Sequence, residues 1–343
     1  MKTKQNSARI AWVDALKGIT ILAVVLGHCL DGYLNAGMFS EVEPTFQLLW
    51  NMIYAYHMPL FFIISGYTFF VAYVKNTGLD AKKCKLQLAN LILIYTLWAL
   101  MLWVAKRAFS AFANKAYGVR DLLGMFVSPL GNYWYIYVLA LVYVVVIALK
   151  LWKISSRLLL TGTLVLLFAA RIFSGMIHPT VYRVCYYLFF FCVGMVICRK
   201  PELAQKKYLF AVCVVMSALL WYAQYHSTLP TQNRVVSVPV LALTISYLFI
   251  FVVASIKWKE SGFMPFCGEY CLQIYLIHSY FTAGNRTLLP MLGITQPYVA
   301  LAVNTISSFV ISLGLGVVCN RISWTMVLFR PVAFIQKYFT KKQ

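Results

Sequence analysis

The chain has 343 residues, 62% hydrophobic and only 11% charged, with 30 Lys and Arg against 9 Asp and Glu for a net charge of +21. Soluble domains are roughly 45–50% apolar, so a water-soluble globule is excluded, and a mean hydropathy of +0.77 points to a membrane protein. A nucleic-acid surface is excluded too, because the Lys and Arg residues fall in short clusters between apolar runs and not on one stripe interleaved with aromatics.

The chain opens with MKTKQNSAR and then an apolar run. Asp14, Lys17 and His28 interrupt that run and no small-x-small cleavage site follows, so it is expected to stay as a helix and not to be removed as a signal peptide. LGHC, ending at Cys29, is not a lipobox, because His28 stands where a small residue is needed. A spanning helix needs about 17–25 mostly apolar residues. That rule places ten spans at 13–34, 46–74, 87–105, 132–149, 157–175, 180–198, 208–226, 236–256, 264–284 and 297–319. The second contains Pro59, which removes a backbone hydrogen bond and predicts a kink.

The expected fold is therefore an all-α polytopic membrane bundle of about ten helices, one domain over residues 1–343 with short tails at 1–12 and 320–343. Ten spans put both ends on one side, and that side holds 22 Lys and Arg residues against 8 on the other. Positive charge accumulates in cytoplasmic loops, so both termini are expected in the cytoplasm. No loop is long enough for a separate catalytic domain, and no internal repeat stands out, so any chemistry belongs to the bundle. The nine cysteines lie mostly inside apolar runs without paired spacing; they read as packing residues, and no metal site is expected.

The first span carries the most informative residues. Lys17 and His28 are eleven residues apart, about 16 Å along a helix and within about 20° of one face. Asp14 lies three residues before Lys17 and Asp31 three after His28, so one stripe holds Asp14, Lys17, Ile21, Val24, His28 and Asp31. Ionisable groups at membrane depth are costly and rare unless used. Lys17 either snorkels to the headgroups with Asp14 as partner or grips a ligand. His28 is either a helix-packing histidine or an acid–base group suited to proton transfer near neutral pH.

Lys17 to His28 is a basic residue, ten intervening residues and a histidine, and this pattern resembles the signature of the acyltransferase family 3 integral membrane proteins. DALKGITILAVVLGH (14–28) and YHMPLFFIISGYTFF (56–70) are similar to the fucose O-acetylase and exopolysaccharide O-acetyltransferase branch of that family. The likeness continues in order through GNYWYIYVLAL (131–141), FFFCVGMVICRK (189–200) and CGEYCLQIYLIHSYF (267–281), and so covers nearly the whole chain.

The resemblance implies an acyl-CoA-dependent O-acyltransferase that moves an acyl group, usually acetyl from cytoplasmic acetyl-CoA, to a hydroxyl of an extracytoplasmic or lipid-linked glycan. It implies a multi-pass protein of the bacterial inner membrane whose partners are the donor, the glycan acceptor and membrane lipid, with no nucleic acid. His28 takes the catalytic position of the motif, with Asp14 beside it among the catalytic candidates, and Lys17 takes the basic position near the donor. His28 is expected as general base, with a transient acyl-histidine as the alternative. The family commonly places arginines before the third helix, whereas this chain reads LDAKKCKLQLANLIL (79–93), with Gln87 and Asn90 at the expected basic positions. Lys82, Lys83 and Lys85 then supply the charge for the donor phosphates from a shifted position. Asn132 and Trp134 are candidate oxyanion donors, and His57, beside Pro59, is a candidate pocket residue.

Four further residues carry the plainer readings. His278 reads as a packing or interfacial histidine, Glu269 as a cap or partner of a basic loop, and Arg171 and Arg183 as snorkelling charges or as contacts for acceptor or lipid headgroups. The competing function from another class is a proton-coupled transporter or exporter of a glycan or lipid, since intramembrane Lys, His and Asp also build proton relays. The paired broken helices of repeat-built transporters are not seen in the sequence. A sensor or scaffold leaves the Lys17–His28 stripe without a use.

Overall fold

The computed structural model describes residues 10–75, 78–110, 117–151, 155–225 and 234–340. Lys2, Lys4, Arg9, Lys115, Lys153, Lys341 and Lys342, which enter the charge count, lie outside the described residues, as does most of the expected tail at 1–12.

Each expected span contains helix among the described residues. In chain order the helices are α1 (Ala11–Asn35), α2 (Glu43–Tyr73), α3 (Ala81–Ala108), α4 (Val119–Leu123), α5 (Trp134–Leu151), α6 (Ser156–Ile172) and α7 (Pro179–Arg199). They continue as α8 (Lys207–Tyr225), α9 (Arg234–Ser255), α10 (Phe263–Glu269), α11 (Cys271–Met291), α12 (Pro297–Arg321), α13 (Met326–Phe329) and α14 (Pro331–Ile335). Among the described residues, eight helices are long and apolar enough to cross a membrane. The chain is an all-α, multi-pass integral membrane protein. The fifth and ninth expected spans fall outside the eight for separate reasons. Helix α6 has 17 residues, and α11 carries Gln273, His278, Thr282 and Arg286 buried along its length.

Helix α2 runs through Pro59 to Tyr73 as one helical segment. Two expectations change in detail. The run at 264–284 is two helices that part at Tyr270, two residues after Gly268, a poor helix former. Residues 326–335, expected within a short tail, form α13 and α14, with Phe329 and Pro331 buried. The Trp98 indole N–H donates to the Leu328 carbonyl at 2.8 Å, so an aromatic of α3 anchors this segment. A two-residue hairpin, β1 (Val74–Lys75) with β2 (Gly78–Leu79), joins α2 to α3.

The chain divides into two compact units, and several helices contribute to both. The first holds Met1–Thr20, Tyr54–Lys83 and Val144–Glu269. In it the backbones of α2 and α7 touch: a Cβ at Gly194 would lie 1.9 Å from the Ile63 carbonyl oxygen, and one at Gly66 would lie 1.8 Å from that of Phe191. Helices inside a bilayer gain little from apolar burial against each other, because lipid tails are equally apolar. Close backbone approach is what distinguishes the packed state, and two glycines supply it. Around that crossing Phe62 stacks on Tyr187, with ring centroids 4.4 Å apart.

The second unit holds Ile21–Ile53, Cys84–Tyr143 and Tyr270–Gln343. Its core is polar as well as aromatic. Asn304, fully buried on α12, donates to the Thr282 carbonyl and to the Tyr33 hydroxyl, both at 3.2 Å. Ser308 donates to the Asn304 side-chain oxygen at 3.0 Å. These bonds satisfy buried polar groups and tie α1, α11 and α12 together.

Candidate functional site

A cavity of about 590 Å³ opens in the second unit, and His28 lines it. That volume suits a small ligand, for which pockets of roughly 300–1,000 Å³ are usual. Helix α1 contributes His28, Asp31 and Gly32, the end of α3 contributes Leu102 and Lys106, and the turn before α5 contributes Gly131 and Asn132. The largest share comes from α11, including Ser279, Tyr280, Thr282 and Arg286.

Packing and hydrogen bonds that the local sequence makes possible place several of these groups. Val25, Cys29 and Leu30 bury the packed side of α1, which fixes the helix rotation that leaves His28 half-buried at the cavity wall. One turn on, Asp31 accepts a hydrogen from the Trp50 indole at 3.2 Å. Arg286 is 8% exposed and donates to the Gly32 carbonyl at 3.2 Å. An arginine this buried is costly to place unless its donors are used.

The turn carrying Asn132 is clamped to α11 from two sides. The Tyr133 hydroxyl donates to the Leu276 carbonyl at 2.8 Å, and the Tyr275 hydroxyl donates to the Asn132 carbonyl. Gly131 has φ +50, a left-handed conformation that glycine adopts without a Cβ penalty; a Cβ there would also lie 2.7 Å from Leu102. The glycine therefore sets the direction from which Asn132 enters the cavity wall.

Residues 10–321 match the acyltransferase domain of the acyltransferase 3 family, which is nearly the whole chain. The chain belongs to the acyltransferase 3 family. Among curated proteins it is similar to the nodulation protein NolL of Mesorhizobium japonicum, 24% identical over 233 residues, 65% of this chain and 58% of that protein. The nodulation protein NolL of Sinorhizobium fredii is 26% identical over 234 residues, 65% of this chain and 59% of the relative. The chain thus spans somewhat under two thirds of the length of these relatives. No solved structure matches it.

In this member of the family the expected site residues separate by unit. His28 and Asn132 come together in the cavity wall. Trp134 begins α5 two residues further on and is not among the cavity-lining residues. Lys85 is exposed near the start of α3. Asp14, Lys17, His57, Lys82 and Lys83 belong to the first unit. There Lys17 pairs with Asp14 at 2.9 Å, both half-buried. Asp80 accepts from the backbone N–H of Lys83 at 3.2 Å and lies 3.8 Å from its ammonium, so Lys83 takes part in starting α3, while Lys82 stays exposed. His57 is 3% exposed and meets the Tyr54 ring edge-on at 4.6 Å.

The departure at the start of α3 has a structural counterpart. Asn90, at an expected basic position, accepts from the Val332 backbone N–H at 3.4 Å and so contacts α14. Arg171 donates to the Tyr182 hydroxyl at 3.0 Å, joining α6 to α7. Among the described residues, no group of three or more His, Cys, Asp or Glu side chains could hold a metal ion.

Sequence reading missed the α11 side of the cavity. Ser279, Tyr280, Thr282 and Arg286 carried a usable signal, since a membrane helix that holds Gln273, His278, Asn285 and Arg286 as well is too polar to be lipid-facing all round. Arg286 and Lys106, which the sequence offers only among the eight Lys and Arg residues of the less basic side, both line the cavity.

Proposed function

We propose that this protein is an O-acyltransferase that moves an acetyl group from cytoplasmic acetyl-CoA to a hydroxyl of an extracytoplasmic or lipid-linked glycan, in a bacterial inner membrane with both termini in the cytoplasm. The observation that carries the reading is the place of His28: the histidine of the Lys17-x10-His28 motif opens onto a cavity whose other polar groups include Asp31, Asn132, Ser279, Tyr280, Lys106 and Arg286. Orientation rests on the 22 to 8 asymmetry of Lys and Arg.

The chemistry follows from those groups. His28 removes the proton of the acceptor hydroxyl as its oxygen attacks the thioester carbonyl carbon. The resulting tetrahedral oxyanion is stabilised by the Asn132 side-chain amide, which donates where negative charge develops. Collapse breaks the carbon–sulfur bond, and the imidazolium returns its proton to the departing CoA thiolate. The acceptor leaves as an ester and His28 returns to its starting state. Arg286 and Lys106 offer charged donors for acceptor oxygens, and Asp31 an acceptor for sugar hydroxyls. Lys17, Lys82, Lys83 and Lys85 bind the donor phosphates, which are too polar to enter hydrocarbon.

The first test is turnover of radiolabelled acetyl-CoA by the purified protein in nanodiscs. Wild type consumes the thioester, and Lys17→Ala weakens donor binding about 10-fold, read by equilibrium binding of the labelled donor, as expected for a charge-assisted contact of roughly 1.5–3 kcal/mol lost in part to its neighbours. If wild type neither binds nor consumes acetyl-, propionyl- or succinyl-CoA, acyl transfer is wrong and proton-coupled transport takes its place. Asn132→Ala is expected to lower kcat about 100-fold with little change in donor binding, as removal of one oxyanion donor does. A proportional loss of donor affinity would instead make Asn132 a binding residue.

A further inference from the structure

Beside His28 stands a second histidine. His278 on α11 is completely buried and is absent from the residues that line the cavity. Its ring centroid lies 5.2 Å from that of His28, with the planes inclined by 33°. Its Nδ1 is 3.0 Å from the Ile274 carbonyl oxygen one turn earlier. A carbonyl only accepts, so Nδ1 carries the hydrogen, and in the neutral ring Nε2 is left as a lone pair. That Nε2 is buried without a hydrogen-bond partner among the described residues.

A buried acceptor without a donor costs free energy comparable to a lost hydrogen bond, so such an atom calls for a use. The ring spacing supplies one. Two imidazoles joined by an N–H···N bond of about 3 Å stand about 5 Å apart at their centroids once each ring radius is added. The two rings already have that separation, and rotation about the His28 side chain supplies the alignment.

We propose that His278 is a positioning residue for His28: its Nε2 accepts the hydrogen on one ring nitrogen of His28 and leaves the other, cavity-facing nitrogen unprotonated. This rests on the reading of His28 as the base. The consequence is a single tautomer. A neutral imidazole carries its hydrogen on either nitrogen, and only the form with a free lone pair towards the acceptor can take the hydroxyl proton. The same bond then holds the imidazolium while the tetrahedral intermediate exists, and no proton needs to pass to His278. The local sequence IHSYF on α11 therefore presents both faces of one job, with Ser279 and Tyr280 at the cavity and His278 beside the base.

The test compares His278→Phe, which keeps a flat ring and removes the acceptor, with His278→Gln, whose amide oxygen reaches the region of Nε2. With acetyl-CoA as donor and the protein in nanodiscs, His278→Phe is expected to lower kcat by about 100-fold with KM for the donor unchanged, and His278→Gln to recover at least 10-fold of that loss. A residue that only packs would show the reverse order, because Phe fills the site better than Gln. The second readout does not depend on activity: in protein labelled with ¹⁵N-histidine, His28, assigned by difference with His28→Gln, shows one tautomer in wild type and a mixture in His278→Phe. Two tautomers of His28 in wild type, or equal kcat for wild type and His278→Phe, overturn the inference. The failures are separable: if His28→Ala turns over donor like wild type, the base reading falls, whereas an inactive His28→Ala beside a fully active His278→Phe sinks the positioning role alone.

Discussion

Acetyl-CoA turnover in His28→Ala is expected to fall by about 10²–10⁴-fold, the range that a positioned acid–base group contributes, while the labelled donor still binds. The separation of binding from turnover is the informative part. His28 lines the cavity, whereas Lys17 sits with Asp14 in the first unit, so their substitution should fail in different ways. His28→Ala keeps the donor and stalls; Lys17→Ala turns over at saturating donor but binds it weakly. Single-turnover mixing with labelled acetyl-CoA also decides between the two chemical roles open to His28. A labelled protein adduct that forms in wild type before acceptor is added, and is absent in His28→Ala, would make the histidine a nucleophile and remove the general-base step. Full turnover by His28→Ala would remove His28 from the chemistry altogether.

Gly194→Ala is expected to disrupt folding strongly. The new Cβ would lie 1.9 Å from the Ile63 carbonyl oxygen and 2.9 Å from the Tyr67 nitrogen, both backbone atoms. Backbone cannot swing aside as a side chain does, so α2 and α7 must separate, and overpacking of this kind costs about 3 kcal/mol. The measurement is the thermal midpoint and monodisperse yield in detergent, beside Gly314→Ala as a control. Gly314 is on an exposed part of α12 with nothing within 4 Å of an added Cβ, and alanine favours helix by up to about 1 kcal/mol there. A Gly194→Ala protein with the yield and midpoint of the control would mean that α2 and α7 do not cross as closely as these distances say.

The contrast between these two sites shows which information was local. Asp14, Lys17 and His28 could be singled out because each is an ionisable group in an apolar run, and charge at membrane depth is expensive wherever it sits. Asn132 was found because it starts a span with a polar amide. Arg286 was not, although it lines the same wall, since an arginine near a helix end reads as a snorkelling charge until its neighbours are known. His278 reads from the sequence as a packing or interfacial histidine for the same reason: His28, whose ring lies 5.2 Å from its own, is 250 residues away in the chain, and nothing periodic joins them.

Helices and membrane character were determined by the sequence alone, because the cost of an unsatisfied backbone group in hydrocarbon forces helix on any apolar run long enough to span. The charge clusters between runs and the eleven-residue step from Lys17 to His28 were likewise readable, since both are properties of one segment. Only the tertiary structure decided that α11 builds most of a cavity around His28, that Asn304 pins α11 and α12 to Tyr33, and that Gly66 and Gly194 meet facing backbones. Lipid rewards none of these pairings by apolar burial, so they depend on close packing and matched hydrogen bonds between distant segments, and such complementarity has no signature in either segment by itself.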